Sequence, residues 1–148
     1  MRAVVLLALC AAPAAGQEAP AFDPAPTVAC LEAEGGRDCA GRAARACMEG
    51  EGGQTTLGMN QCLASERDLW DARLNDAYRS GMDRIPPVRA EALREMQRKW
   101  IAFRDATCNY EAVRHDGGSL AGTVRLQCQM ELTADQALRL DASLAEVG

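Results

Sequence analysis

Six of the seven cysteines follow a hydrophobic N-terminal segment, and they constrain the fold more than any other feature of the sequence. The segment has the order of a secretory signal: Met1-Arg2 is positively charged, residues 3–12 are apolar, and small residues lead to Gly16. Export places the chain in an oxidising compartment, where an even set of cysteines indicates disulfides rather than a metal site. We therefore predict three disulfides among Cys30, Cys39, Cys47, Cys62, Cys108 and Cys128.

The N-terminal segment is predicted to be a cleaved signal peptide that ends at Gly16. Its apolar run is shorter than the roughly 20 residues that span a bilayer, so we predict no membrane span. Cys10 raises the alternative of a lipoprotein. We favour cleavage because the bulky Leu9 precedes Cys10, whereas a lipid-attachment site generally has a small residue there. The predicted location is the periplasm or the extracellular medium.

The charge of the chain disfavours nucleic acid as a partner. The sequence carries 16 basic and 21 acidic residues, for a net charge of −5. Nucleic-acid binding depends on Lys and Arg side chains that neutralise phosphates, and an acidic chain is poorly suited to it. Opposite charge instead steers encounter with a basic protein. A modest negative charge also keeps an exported protein soluble, and charge alone favours this simpler interpretation.

The sequence divides into four segments and shows no internal repeat. After the signal peptide (1–16), Pro20, Pro24 and Pro26 indicate an extended leader. The third segment contains three cysteines around glycines and is predicted to form two short helical pieces. The four segments are 1–16 (signal peptide), 17–28 (Pro-rich leader), 29–54 (cysteine-containing N-terminal extension) and 55–146 (helical domain).

Hydrophobic periodicity predicts three long helices in the last segment. In the first, apolar or small residues recur every three or four positions from Met59 to Met82, and Thr55 or Thr56 can cap its start. Pro86-Pro87 ends this helix and starts the next. The apolar seam of the second helix, which we expect to pack against its neighbours, consists of Leu93, Met96, Trp100, Phe103, Thr107 and Tyr110.

The third helix follows the break at Asp116-Gly117-Gly118 and extends toward Leu144. Thr133 with Gln136 can form a capping box that restarts it, but we favour one continuous helix. The predicted fold class is all-α: a small antiparallel three-helix bundle with short N-terminal helical pieces, stapled by disulfides. Disulfides compensate for a core that has few aromatic residues.

The helical arrangement brings the cysteines to one end of the bundle. Folding the first two helices back on each other places Cys62 and Cys108 together, and Cys128 returns to the same end. Six cysteines allow fifteen pairings. We favour the nearest-neighbour scheme of Cys30–Cys39, Cys47–Cys62 and Cys108–Cys128, because its last bridge closes the loop between the second and third helices. The main rival joins Cys62 to Cys108.

Several short motifs carry a family resemblance. The most specific is Gln97 to Cys108, and the others are Met59-Asn60-Gln61-Cys62, the segment from Trp70 to Tyr78, Gly117-Gly118-Ser119, Cys128 and Thr133. In order and spacing these motifs resemble the lysozyme-inhibitor LprI-like domain of exported bacterial proteins, over roughly Thr55 to Leu144. The resemblance implies a helical, disulfide-bonded fold, and the namesake of the family is a lipoprotein that inhibits lysozyme.

The chain departs from the family pattern at three places. Gln136 stands where members often carry an arginine, Cys30 and Cys39 lie in an extension outside the usual core, and the lipid-attachment signal of the namesake is missing. The last departure weakens any expectation of membrane anchoring. The resemblance also supplies no short inhibitory motif that can be carried over residue by residue.

Four side chains are candidate partner-binding residues: Trp70, Arg73, Arg79 and Arg104. Trp70 is at the edge of its apolar stripe and is expected to be partly exposed. An arginine can insert toward the two carboxylates of a lysozyme cleft. For Arg104 we favour a structural role, because it follows Trp100 by four residues and its guanidinium can lie over the indole ring.

The sequence offers no catalytic, metal-binding or cofactor-binding constellation. His115 is the only histidine, no Cys-x-x-Cys motif is present, and no glycine loop resembles a phosphate cradle. We therefore predict a protein that is not an enzyme and needs no cofactor. The predicted function is that of an exported binding protein that inhibits lysozyme by occluding its cleft. The alternative is a structural or accessory cell-envelope protein that binds another partner.

Overall fold

The computed structural model describes residues 19–33 and 35–145, and these residues form an all-α structure. The predicted signal peptide with Cys10 lies outside the described residues. Five α-helices and one short 3₁₀ helix are present, and the described residues include no strand. The elements are α1 (Ala25–Glu32), the 3₁₀ helix (Arg37–Cys39), α2 (Arg42–Glu49), α3 (Thr56–Met82), α4 (Pro87–Val113) and α5 (Ser119–Ala145).

The long helices begin and end at the residues that the sequence signals indicate. Thr55 caps α3, because its Oγ1 accepts a hydrogen bond from the Gly58 amide at 2.9 Å. Pro87 is the first residue of α4. The turn before α5 contains Asp116 and Gly117, both at positive φ. Helix α5 continues through Thr133 without interruption, as the sequence analysis favoured.

Helix α5 is the central helix of the three long ones. It packs most extensively against α3 and also against α4, whereas α4 packs chiefly against α5 rather than against α3. The predicted direct pairing of the first two long helices is therefore wrong. The core lies mainly between α3 and α5, where Trp70, Leu74, Met130, Ala137 and Leu140 are buried.

The packing face of α4 differs from the predicted seam. Its buried residues are Ala90, Leu93, Cys108 and Ala112. Of the predicted seam, Phe103 is 59% exposed and Tyr110 is 66% exposed, so the expectation that they pack in the interior is wrong. The physical reason is that α4 packs chiefly against one neighbour, α5. Leu93, the small residues and the half-cystine face α5, whereas Phe103 and Tyr110 remain exposed to solvent.

Three disulfides join the helices in the nearest-neighbour scheme. The pairs are Cys30–Cys39, Cys47–Cys62 and Cys108–Cys128, with Cα–Cα distances of 5.5, 5.7 and 5.4 Å. These distances are ordinary for disulfides. The first bridge closes the N-terminal extension on itself, the second joins α2 to α3, and the third joins α4 to α5. The favoured pairing is thereby confirmed, and the rival Cys62–Cys108 bridge is absent.

The N-terminal extension is more helical than its sequence indicates. Helix α1 begins at Ala25, so the last residues of the predicted leader are helical. Pro26 fits there because proline is compatible with the first turn of a helix. Helix α2 packs on α3, and α1 packs on α2. The extension therefore docks on α3 mainly through α2, and its 3₁₀ helix contacts α5.

Candidate functional site

Trp70 is a buried core residue. It is 1% exposed, and its Nε1 donates a hydrogen bond to the Glu66 carboxylate at 3.2 Å. The expectation of partial exposure is wrong, because the N-terminal extension covers the indole. Thr27, Val28 and Leu31 lie with Trp70 around one cavity of about 280 Å³. The indole thus offers almost no surface to a partner.

The three candidate arginines lie in different environments. The Arg104 guanidinium is 5.1 Å from the centroid of the Trp100 ring, and it also pairs with Asp105 at 2.9 Å. Its side chain is only 17% exposed, as expected of the structural role that we favoured. Arg73 binds Asp141 of α5 at 2.8 Å. The structure therefore does not bring the four candidates together, since Arg104 is on α4 and the other three are on α3.

Arg79 is the most exposed of these arginines. Its side chain is 71% exposed, against 45% for Arg73 and 17% for Arg104. It pairs with Asp76 one turn earlier on α3. Both partners are in solvent, where such a pair contributes little stability and can open without much cost. Arg79 is therefore the candidate whose guanidinium is most available to a partner.

Sequence reasoning missed the fully buried carboxylate of Glu66. The Glu66 side chain is 0% exposed, and its carboxylate contacts the first residues of α2. Glu66 Oε1 accepts hydrogen bonds from the Gly41 amide at 2.7 Å and from Thr27 Oγ1 at 2.9 Å, and Oε2 accepts one from the Ala44 amide at 2.6 Å. A carboxylate here satisfies amides that a helix start leaves unpaired and interacts favourably with the helix dipole. Glu66 on α3 thus caps α2 from outside that helix.

Thr27 completes this cap and links the N-terminal extension to it. Its Oγ1 donates to Glu66 and accepts from the Ala43 amide at 3.0 Å. Thr27 is itself 0% exposed. The sequence signal that could have revealed the cap is Glu66 itself: it occupies the apolar stripe of α3, three residues after Leu63 and four before Trp70. A charge at such a position must have buried partners.

The amides of the family motifs have two different roles. Gln97 Oε1 accepts a hydrogen bond from Gln136 Nε2 at 2.6 Å, which joins α4 to α5. Gln136 stands where relatives are expected to carry an arginine, and here it is largely buried. Asn75 instead donates to Asp71 one turn earlier on the exposed surface of α3. Gln97 therefore joins two helices, whereas Asn75 bonds within α3.

Ion pairs cover the exposed surface of α4. Arg98 donates to Glu95 at 2.7 Å, and Lys99 lies 3.4 Å from the same carboxylate. The hydrogen bond from Arg98 and then that from Lys99 hold the pKa of Glu95 below its ordinary value. His115 is exposed in the turn after α4.

Residues 19–33 and 35–145 contain no cluster of three or more His, Cys, Asp or Glu side chains arranged to hold a metal ion. Within the same ranges, no helix combines the length and the apolar character needed to cross a membrane.

Comparisons with known proteins assign the family. The family model for the lysozyme inhibitor LprI matches residues 47–140, from the end of α2 to most of α5. An uncharacterized 17.7 kDa protein from the puhA 5′ region of Rhodobacter capsulatus is 24% identical over 119 residues, which cover 71% of this chain and 74% of that protein. No solved structure matches the chain significantly. The family match covers more than half of the sequence with the predicted disulfide pairing in place, and the chain belongs to the lysozyme inhibitor LprI family.

Proposed function

We propose that this protein binds a lysozyme outside the cytoplasm and inhibits it by covering its cleft. The single observation that supports the proposal most strongly is the match to the lysozyme inhibitor family, which includes all of α3 and α4. The family description names an inhibitor and no enzymatic activity. Three disulfides also fit an extracytoplasmic protein.

The exposed side chains of α3 bear on the proposal that the partner is a basic protein. Asp68 and Asp76 are exposed on this helix and pair with Arg67 and Arg79, and Asp83, just after its end, is exposed and forms no ion pair within the described residues. Lysozymes are commonly basic, so Asp83, and the other two carboxylates once their solvent-exposed ion pairs open, can bind cations of such a partner. The net charge of −5 acts in the same direction at longer range.

Arg79 is proposed as the side chain that reaches the lysozyme cleft. It lies among the carboxylates of α3 and is the most exposed candidate arginine. A lysozyme cleft contains two carboxyl groups, to which a guanidinium can donate. Arg73 is the second candidate, because its ion pair with Asp141 is also partly in solvent. Trp70 and Arg104 act by supporting the fold in this proposal.

Lysis assays test the proposal. Suspended bacterial cell walls are treated with c-type or g-type lysozyme, with and without the purified protein. We expect slower lysis at micromolar protein. We expect Arg79→Glu to weaken inhibition about tenfold or more, since a paired charge at an interface contributes strongly. Arg45→Glu is the matched control, because Arg45 is an exposed arginine on α2 and its reversal changes the net charge equally.

Absence of inhibition at micromolar excess over both lysozymes would contradict the proposal. That result would favour the alternative of an accessory cell-envelope protein. If wild-type protein inhibits and Arg79→Glu inhibits equally, the family function stands and the assignment of Arg79 is wrong.

We also propose that the signal peptide is cleaved after Gly16. Removal of residues 1–16 releases the protein to the periplasm or the medium, and 17–28, 29–54 and 55–146 remain the proposed segments. The intact mass of protein recovered from the periplasm tests the cleavage site. A mass that includes lipid on Cys10 would contradict cleavage after Gly16.

A further inference from the structure

Two neighbouring cavities lie along the α4–α5 pair. The larger, about 590 Å³, is lined by Trp100 and Phe103 of α4, and the smaller, about 240 Å³, is lined by Met96 of the same helix. Both are also lined by Gln136 and Arg139 of α5, so the two cavities are adjacent at these residues. We call this feature the α4–α5 groove. From Arg89 to Phe103 it follows α4 for about 21 Å, at 1.5 Å per residue.

The walls of the α4–α5 groove have the spacing that accepts another helix. Met96 and Phe103 lie seven residues apart on α4, and they are 39% and 59% exposed. On α5, the lining residues Leu132, Gln136, Arg139 and Ser143 are spaced four, three and four apart. The groove thus has an apolar wall on α4 and a mainly polar wall on α5, both at the three-and-four spacing that packs against a partner helix with ridges in grooves. No other element of the described residues covers Phe103.

The groove carries positive charge within an acidic protein. Arg89 and Arg139 both line the smaller cavity, and that cavity has no carboxylate among its lining residues. Within the described residues neither arginine forms an ion pair; Arg89 donates only a long bond of 3.4 Å to the Ser143 carbonyl. In the larger cavity, Arg37 and Asp135 neutralise each other at 2.7 Å. As far as the structure describes the chain, the groove thus presents two guanidinium groups without a carboxylate partner beside apolar side chains.

We propose that the α4–α5 groove binds an acidic amphipathic helix of a partner protein. The apolar face of that helix covers Met96, Trp100 and Phe103, and carboxylates beside this face pair with Arg89 and Arg139. A basic lysozyme does not suit this surface, because its cations and the two arginines repel each other. The groove is therefore a second interaction surface, and it does not rest on the lysozyme proposal.

Binding of a synthetic helix tests the proposal. The probe is a fluorescently labelled peptide of about 18 residues, long enough for the groove, with leucines three and four apart and glutamates on both flanks. The control peptide has lysine at every glutamate position. Fluorescence anisotropy is expected to show micromolar binding of the acidic peptide and at least about tenfold weaker binding of the lysine peptide. Equal affinities, or no binding of either peptide, would overturn the proposal.

Charge reversal locates the binding site. We expect Arg89→Glu with Arg139→Glu to weaken binding of the acidic peptide about tenfold or more, and Phe103→Ala to weaken it independently. Arg42→Glu with Arg45→Glu, on α2, changes the net charge equally and is expected to leave the affinity within about twofold. Circular dichroism and thermal denaturation verify that each variant is folded. Equal effects of the two double variants would show that only net charge matters and would overturn the proposal.

Two further measurements distinguish other occupants. Vesicles of phosphatidylcholine with phosphatidylglycerol are tested by co-sedimentation, and sedimentation velocity measures self-association. Vesicle binding that requires Arg89 and Arg139 would assign the groove to anionic lipid and overturn the proposal. A dimer that Phe103→Ala dissociates would assign it to a second copy, with the same consequence. We expect neither in the concentration range that binds the peptide.

Discussion

The Glu66 carboxylate accounts for how the short N-terminal elements are held in place. It accepts hydrogen bonds from α2, from Thr27 of α1 and from the Trp70 indole, which belong to three different helices. Hydrogen bonds to a charged group contribute more than neutral ones, and a buried charge without partners is strongly unfavourable. Both effects make Glu66 the single polar residue whose replacement should disturb the most structure.

We expect Glu66→Gln to lower the free energy of unfolding by about 2–3 kcal/mol. The amide replaces one acceptor oxygen with a donor NH₂ group, which then faces a backbone N–H. Urea denaturation measures the change. Glu131→Gln is the control, because Glu131 is exposed on α5 and accepts only from Gln127. A change below about 0.5 kcal/mol, as for an ordinary surface substitution, would contradict this role.

The contribution of Glu95 to stability is predicted to depend on pH. Its pKa is lowered from 4.5, first by the hydrogen bond from Arg98 and then by that from Lys99. A lowered folded-state pKa means that the stabilising contribution is present above the unfolded-state pKa and is lost as pH falls through the folded-state value. In an NMR titration, Arg98→Ala should raise the Glu95 pKa toward its ordinary value. Arg114→Ala, which removes the partner of Glu111 instead, should not change it.

The start of α3 is fitted closely to the glycine loop that precedes it. Gly58 is buried in the first turn of α3. A Cβ atom built there would overlap the carbonyl oxygen of Gly52 and lie 2.9 Å from the Gly53 Cα. Because these are backbone atoms, a side chain at position 58 requires the whole loop to move. The same loop connects Cys47 to α3, where Cys62 completes the bridge.

We expect Gly58→Ala to destabilise the protein by about 1–3 kcal/mol, although alanine is the better helix former. Thermal denaturation measures the effect. Gly36→Ala is the matched control, since a Cβ at position 36 meets no heavy atom within 4 Å. A higher melting temperature for Gly58→Ala would contradict the close contact between the glycine loop and the start of α3.

The disulfide between α4 and α5 is expected to stabilise most of the three bridges. The sequence separations are 9, 15 and 20 for Cys30–Cys39, Cys47–Cys62 and Cys108–Cys128. If the bridges act mainly on the unfolded chain, the contribution rises with loop length, to about 3 kcal/mol for the last. Replacing Cys108 and Cys128 together by alanine should therefore cost more than replacing Cys30 and Cys39. Guanidinium denaturation under non-reducing conditions checks the order; the reverse order would contradict the prediction.

At the scale of the whole molecule, charge is distributed unevenly. The chain is acidic overall, whereas the α4–α5 groove carries Arg89 and Arg139, which form no ion pair within the described residues. Helix α5 packs against both α3 and α4. A locally basic groove on an acidic, disulfide-linked molecule suits two partners of opposite charge.

Lysozyme inhibition is predicted to weaken as salt rises. At an ionic strength of about 0.01 M the Debye length is about 30 Å, and at about 0.1 M it is about 10 Å, so long-range attraction is largely screened. We expect the inhibition constant to increase several-fold across this range. The lysis assay is repeated at each salt concentration, with lysozyme alone as the reference. An inhibition constant that does not change would exclude net charge as the source of affinity.

The sequence alone determined the features that depend on neighbouring residues. Thr55, Pro87 and the Asp116-Gly117 turn act within a few residues of their own position, so they defined the helix limits directly. The disulfide pairs join cysteines at most 20 residues apart; the sequence favoured them over the rival Cys62–Cys108 bridge, and the structure decided between the two. The family resemblance depends on the same local motifs, and the family model confirmed it.

Only the tertiary structure decided which faces of the helices meet. The apolar spacing of α4 predicted one seam from Leu93 to Tyr110, but packing against α5 buries Leu93 with Cys108 and Ala112 and leaves Phe103 and Tyr110 exposed. Glu66 lies 22 residues from Ala44 and 39 from Thr27, and no local pattern relates them. The burial of Trp70 also depends on contacts between segments that are distant in the sequence. So does the position of the two exposed arginines in the α4–α5 groove. Such contacts arise when helices pack, and spacing within one helix does not encode them.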